Sequence, residues 1–114
     1  MTVTEREIAN DLWLKQVFSW THAHYAEKIT LQNVLDLTHF TKGYFCYRFK
    51  KLTGKTYIQY VNEYRLERAC EYLRQGYSVD KTAKMSGFSS TNYFVQMFKR
   101  SYGSTPGKYL QIER

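Results

Sequence analysis

The chain has 114 residues, 43% of them hydrophobic and 18% aromatic, enough for one small domain or two lobes sharing a helix; this excludes global disorder and an enzyme with a separate binding domain. Its net charge of +7 is uneven, because residues 1–29 hold three basic against four acidic side chains and the remainder carries +8, an excess suited to a polyanion whose condensed counterions are released on contact. Cys46 and Cys70 form no zinc-type spacing, and the chain has neither an apolar run of about 18 residues nor a secretion-type leader, so no metal, cofactor or membrane span is expected and the protein is read as cytoplasmic.

In chain order, Leu14, Val17, Phe18 and Tyr25 form an apolar stripe on an N-terminal helix, fit to pack on the lobe that follows. Thr30 caps a short helix to about Thr38, His39 and Phe40 make a turn, and Thr41 caps a second helix to about Thr53. His39 stands where a glycine with positive φ would be comfortable, so this turn is expected to be strained or differently built. From Thr56 to Gln75 there is no Gly or Pro, Ile58, Val61, Leu66, Ala69 and Leu73 supply apolar positions, and Gly76 ends the run. That stretch predicts a helix about 30 Å long. Ser78 caps the next short helix, Gly87 makes its turn, and Ser89 is expected to cap the helix after it. Thr105 and Pro106 then start a closing helix bearing Tyr109, Leu110 and Ile112.

The chain says nearly the same thing twice, from Thr30 to Val61 and from Ser78 to Leu110. Thr30, Leu31, Leu35, Thr38 and Phe40 match Ser78, Val79, Ala83, Ser86 and Phe88 at an offset of 48 residues. Tyr44, Phe45, Phe49, Lys50, Gly54, Thr56 and Tyr60 match Tyr93, Phe94, Phe98, Lys99, Gly103, Thr105 and Tyr109 at 49, so one residue is inserted in the second turn. The expected fold is all-α, with two helix-turn-helix lobes of the homeodomain-like three-helix kind. Residues 1–55 make the first lobe, 56–75 the linker helix and 76–114 the second lobe.

Chemistry should sit on the second helix of each copy. With about 100° per residue, Phe45, Phe49 and Leu52 share an inward face while Gly43, Cys46, Tyr47 and Lys50 point away. In the second copy Phe94 and Phe98 face inward, and Asn92, Val95, Gln96 and Lys99 point outward. The phenylalanines are read as core, because their spacing is that of a buried stripe. Asn and Gln can pair with adenine N6 and N7 and Val95 can touch a thymine methyl, whereas Gly43 and Cys46 offer little to a base. The lobes are therefore expected to be unequal readers, with Tyr47 the main outward group of the first. Lys42, Lys50, Lys51, Lys55, Lys99, Arg100 and Lys108, with Thr41, Ser89 and Thr105 at helix starts, are candidate phosphate contacts. A spacer of about 30 Å compares with about 34 Å between successive major grooves, so the two helices are expected in adjacent grooves; a shorter separation would bend the DNA at about 1–6 kcal/mol.

The run Arg65-Leu66 through Ala69 to Leu73, then Gly87-Phe88, Tyr93-Phe94, Phe98-Lys99, Gly103 and Thr105-Pro106 through Tyr109, resembles the signature of the AraC/XylS family. The resemblance implies two helix-turn-helix lobes on promoter DNA, acting in transcription regulation, often as an activator and in contact with RNA polymerase. By position it implies base-contacting roles for Gly43, Cys46, Tyr47, Thr91, Asn92, Val95 and Gln96. Thr82 stands where the family usually has Ile, Leu35 where a small residue is usual, His39 where Gly is common and Leu110 where Arg often follows the tyrosine. Many relatives carry a preceding sensor or dimerisation domain, so the chain is expected to be a stand-alone regulator or the C-terminal half of a longer one. An enzyme is not expected, because His22, His24 and His39 have no evident carboxylate or cysteine partner. A membrane-surface or protein-interaction helical module is the main rival and predicts no dependence on base sequence. RNA binding is a lesser one, since the narrow deep groove of A-form RNA excludes such helices.

Overall fold

Helix starts in this chain are set by Thr and Ser side chains. The structure is a computed structural model describing residues 5–113, with side chains described from Leu12 to Gln111. Among the described residues there are seven helices and no strand: α1 (Glu5–His24), α2 (Leu31–Thr38), α3 (Lys42–Thr53), α4 (Tyr57–Arg74), α5 (Val79–Met85), α6 (Thr91–Tyr102) and α7 (Pro106–Glu113). At α2 the Asn33 Oδ1 reaches back to accept the Thr30 N–H at 2.8 Å. At α3 the Thr41 hydroxyl accepts the Tyr44 N–H at 3.3 Å. Thr56 and Gln59 satisfy each other's backbone N–H groups at the start of α4, at 2.9 and 3.1 Å. The N-cap of α6 is Ser90, whose hydroxyl accepts the Tyr93 N–H at 3.0 Å. Ser89, expected in that role, sits one residue earlier and is itself the insertion between the copies, since Ser90 lies 49 residues after Thr41.

The chain forms two compact units, one of residues up to His24 with Ile29–Gln59, the other of Tyr25–Lys28 with Tyr60 onward. In the first, Trp13, Val17, Thr21, Val34, Phe45, Phe49 and Tyr57 are buried. Trp13 meets Phe40 and Phe45 edge-on at 5.1 and 5.8 Å, and Tyr57 meets Phe45 and Phe49 edge-on at 5.8 and 5.5 Å. These edge-to-face pairs suit the ring quadrupoles. Thr21 ties the layer together: its hydroxyl is 2.7 Å from the Val17 carbonyl and 2.8 Å from the Tyr57 hydroxyl. Leu52 was expected inward but is 41% exposed, because the aromatic layer closes with Phe49 on Tyr57 before α3 reaches it. Ile58 is 57% exposed, since its neighbour Tyr57 takes the inward place.

In the second unit Leu66, Ala69, Cys70 and Leu73 line one side of α4 at i, i+3, i+4 and i+7 and join Ala83, Phe88, Phe94 and Phe98 in one buried cluster. Tyr109 and Leu110 of α7 pack against it; the side chain of Ile112 lies outside the described residues. Tyr25 does not extend the α1 stripe, because that helix ends at His24. Instead its hydroxyl is 2.8 Å from that of Tyr72, and its carbonyl accepts the Arg65 Nε–H at 2.8 Å. Arg65 also donates from Nη2 to the Glu27 carbonyl at 2.9 Å, so one guanidinium holds the segment Tyr25–Lys28 in place.

Both turns between short and long helices use the left-handed backbone region. His39 has φ +61 and Gly87 φ +89. At Gly87 a Cβ would collide with the Tyr25 carbonyl oxygen and lie 2.9 Å from Arg65 Nε. Glycine is thus required there by contact as well as by conformation, whereas His39 is exposed and bears only the conformational strain.

Candidate nucleic-acid interface

The phenylalanine pairs fix which side of α3 and α6 is presented to solvent. Phe45 and Phe49, and Phe94 and Phe98, are completely buried. On α3 this leaves Lys42, Gly43, Cys46, Tyr47, Lys50 and Lys51 exposed. Tyr47 is 61% exposed. Its ring lies 5.5 Å from the Lys51 ammonium, which also sits 3.4 Å from the Tyr47 hydroxyl. This i, i+4 pair combines a cation–π contact with a long hydrogen bond. A Cβ on Gly43 would meet nothing within 4 Å, so the helix start there is open to a close-approaching ligand.

On α6, Asn92, Gln96, Lys99 and Arg100 are exposed and Thr91 is half-buried. Val95, expected to point away, is half-buried and packs against the second unit's core, since it lies only one step round the helix from Phe94. Of the expected phosphate-contacting groups outside these helices, Thr41, Ser89, Thr105 and Lys108 are exposed and Lys55 is half-buried. Thr41 and Thr105 also act locally as caps, Thr105 through its hydroxyl 3.4 Å from the Lys108 N–H. Tyr44 and Tyr93 were not singled out as site residues, yet both are exposed, at 44% and 38%, beside the outward face. Their matching positions in the two copies were the available signal.

Charge is sorted among the helices. α3 contains Lys42, Arg48, Lys50 and Lys51, α6 contains Lys99 and Arg100, and neither contains an acidic residue. The exposed carboxylates Glu63, Glu67 and Glu71 lie on α4 instead. Lys50, Lys51, Lys99 and Arg100 fall in last turns, where a cation also complements the helix dipole, while the first-turn N–H groups that the Thr41 and Ser90 hydroxyls do not cap can meet an anion. Each face therefore offers positive charge, hydrogen-bonding side chains and helix-start amides over a rigid aromatic backing. Among the described residues no group of three His, Cys, Asp or Glu could hold a metal ion, and no helix is long and apolar enough to cross a membrane. The two cysteines form no disulfide with each other: Cys46 is exposed and Cys70 buried.

A family model described as "Helix-turn-helix domain" matches residues 34–112. The chain is 34% identical over 100 residues to the HTH-type transcriptional regulator YdeC of Bacillus subtilis (strain 168), which covers 87% of this chain and 34% of that protein. It is 26% identical over 112 residues to the bifunctional transcriptional activator/DNA repair enzyme AdaA of the same organism, covering 97% of this chain and 53% of that protein. The chain thus spans about a third to a half of these curated relatives' length. Among solved structures, the DNA-binding domain of AdpA, described as a global transcriptional factor in complex with a target DNA, superposes with a TM-score of 0.80 at 30% identity, covering 84% of this chain and 87% of that one.

Proposed function

The chain belongs to the AraC/XylS family of helix-turn-helix proteins, and from that premise we propose that it binds specific double-stranded DNA sites and regulates transcription from them. It rests on one observation: α3 and α6 each set two buried phenylalanines behind an exposed face free of carboxylates. A major groove about 12 Å wide admits such a helix. In the second unit Asn92 and Gln96 present paired donors and acceptors to adenine, while Thr91 and Val95 supply a hydroxyl and an apolar edge. In the first, Tyr47 is the principal group able to touch a base, with Gly43 and Cys46 allowing close approach. Lys42, Lys50, Lys51, Lys55, Lys99, Arg100 and Lys108 hold phosphates, assisted by Thr41, Ser89 and Thr105. The two helices occupy adjacent major grooves of one site.

On this reading the chain is a non-enzymatic, cytoplasmic regulator that meets RNA polymerase at promoters. The repair activity named for AdaA is not carried over, since the match covers 53% of that protein.

Selection of sites from random duplex, followed by affinity measurements against salt, tests the proposal. The expected consensus has two read segments about one helical turn apart. Gln96→Ala or Asn92→Ala costs about 1–3 kcal/mol and relaxes one base position, whereas Lys99→Ala weakens every sequence alike and lowers the salt slope by about one. Equal binding to all duplexes together with tight binding to anionic vesicles would overturn it in favour of a surface-binding helical module.

A further inference from the structure

One flank of α6 carries a group with no role so far. Tyr93 is 38% exposed and, with Gln96, Met97, Lys99 and Arg100, lines a shallow cleft of about 610 Å³. Its ring leans on Phe88, with centroids 6.1 Å apart, so the phenol is carried by the core although its tip is in solvent. Asn62 of α4, only 8% exposed, donates from Nδ2 to the Tyr93 hydroxyl oxygen at 3.1 Å. That bond occupies an acceptor site on the oxygen and turns the phenolic proton away from Asn62. No described residue accepts that proton.

A helix lying in a major groove aims its central face at base edges and its flanks at the two sugar–phosphate walls. The central face of α6 is Asn92 and Gln96, and Tyr93 stands on the flank, with Lys99 and Arg100 along the same cleft making it attractive to an anion. We propose that Tyr93 donates its O–H to a phosphodiester oxygen on that wall, and that Asn62 is the positioning residue that orients the phenol. This rests on the reading that α6 enters a duplex. A neutral donor displaces no counterion of its own, so the contact adds affinity and fixes register without steepening the salt dependence.

The test pairs Tyr93→Phe with a scan of the selected operator in which single phosphates are replaced by neutral methylphosphonates. Tyr93→Phe should weaken binding about tenfold, as for a hydrogen bond to a charged group, with the base preference and the salt slope unchanged. At one phosphate beside the Gln96-read base pair, neutralisation should weaken the parent but leave Tyr93→Phe unaffected. Additive losses at every phosphate, or parental affinity in Tyr93→Phe, would overturn the contact. If Tyr93→Phe melts well below the parent, 3-fluorotyrosine at position 93 replaces it. Its more acidic phenol should tighten binding in a manner abolished by the same methylphosphonate, and unchanged binding refutes the proposal. Failure of the parent to select any duplex would instead count against the DNA reading itself.

Discussion

Gly87→Ala isolates what the second turn demands. The residue has φ +89, where an L side chain costs about 1–2 kcal/mol. The added methyl also collides with the Tyr25 carbonyl and lies 2.9 Å from Arg65 Nε, the group that donates to that carbonyl at 2.8 Å. Backbone on one side and a pinned guanidinium on the other leave no flexible end to yield, so the Tyr25–Lys28 segment must move and lose its charge-assisted bonds, at about 1.5–3 kcal/mol. The expected destabilisation is about 2.5–5 kcal/mol. Gly103→Ala is the control: φ is +80 but nothing lies within 4 Å of its Cβ, so only the conformational cost of about 1–2 kcal/mol applies. Thermal unfolding followed by circular dichroism should place Gly87→Ala at least about 6 °C below Gly103→Ala, at roughly 4–8 °C per kcal/mol for a unit of this size. Equal melting temperatures would refute the close-approach argument.

Three further outcomes are expected. His39→Gly relieves the φ +61 strain of the first turn and stabilises by about 0.5–1 kcal/mol, net of glycine's entropy; a lower denaturant midpoint would contradict it. Thr82 is fully buried with its Oγ1 unpartnered, so Thr82→Val should raise the midpoint by about 1 kcal/mol, and a loss would mean that the hydroxyl has a partner. Burial, then the bond to Tyr72, pushes the Tyr25 phenol up from 10.0 to about 12. Since the folded state favours the neutral form, its contribution is complete below pH 10 and lost as the pH rises towards 12. Denaturant midpoints against pH should fall more steeply in that window for the parent than for Tyr25→Phe, and identical profiles would remove the effect.

How much of this was legible in the sequence follows from where the chain repeats itself. Helices α2, α3, α5 and α6 and their buried phenylalanines occur twice in the same register, so each copy checks the other, and even the left-handed turn at His39 could be anticipated from Gly87. Ser89 and Ser90 are chemically alike, and the offset between the copies changes from 48 to 49 somewhere between Phe88 and Tyr93 without marking which serine is the insertion; the helix start at Ser90 decides it. Residues outside the repeat had no second copy to check them. Tyr25 satisfies a helical period from Leu14, but periodicity cannot see that α1 stops at His24 and that Arg65, forty residues on, holds the next segment. Trp13, Thr21 and Tyr57 close the first core through contacts between α1, α3 and α4. Such contacts depend on tertiary placement, which spacing along one helix does not encode.

The two copies keep the scaffold and trade the chemistry on it. Tyr47 and Gln96 hold corresponding places, as do Gly43 and Asn92, and Lys50 and Lys51 correspond to Lys99 and Arg100. Helix α3 exposes three basic side chains, Lys42, Lys50 and Lys51, and little that would distinguish one base from another; α6 exposes two, Lys99 and Arg100, with an amide at each of two outward positions. Counterion release scales with the phosphates neutralised and carries no sequence information, whereas paired hydrogen bonds to base edges carry it at modest cost in affinity. On the proposed function, α3 therefore supplies most of the salt-dependent affinity and α6 most of the selectivity. A duplication that leaves the buried phenylalanines alone can divide these tasks between its halves, because the outward pairs that differ, Gly43 with Asn92 and Tyr47 with Gln96, are exposed in both copies.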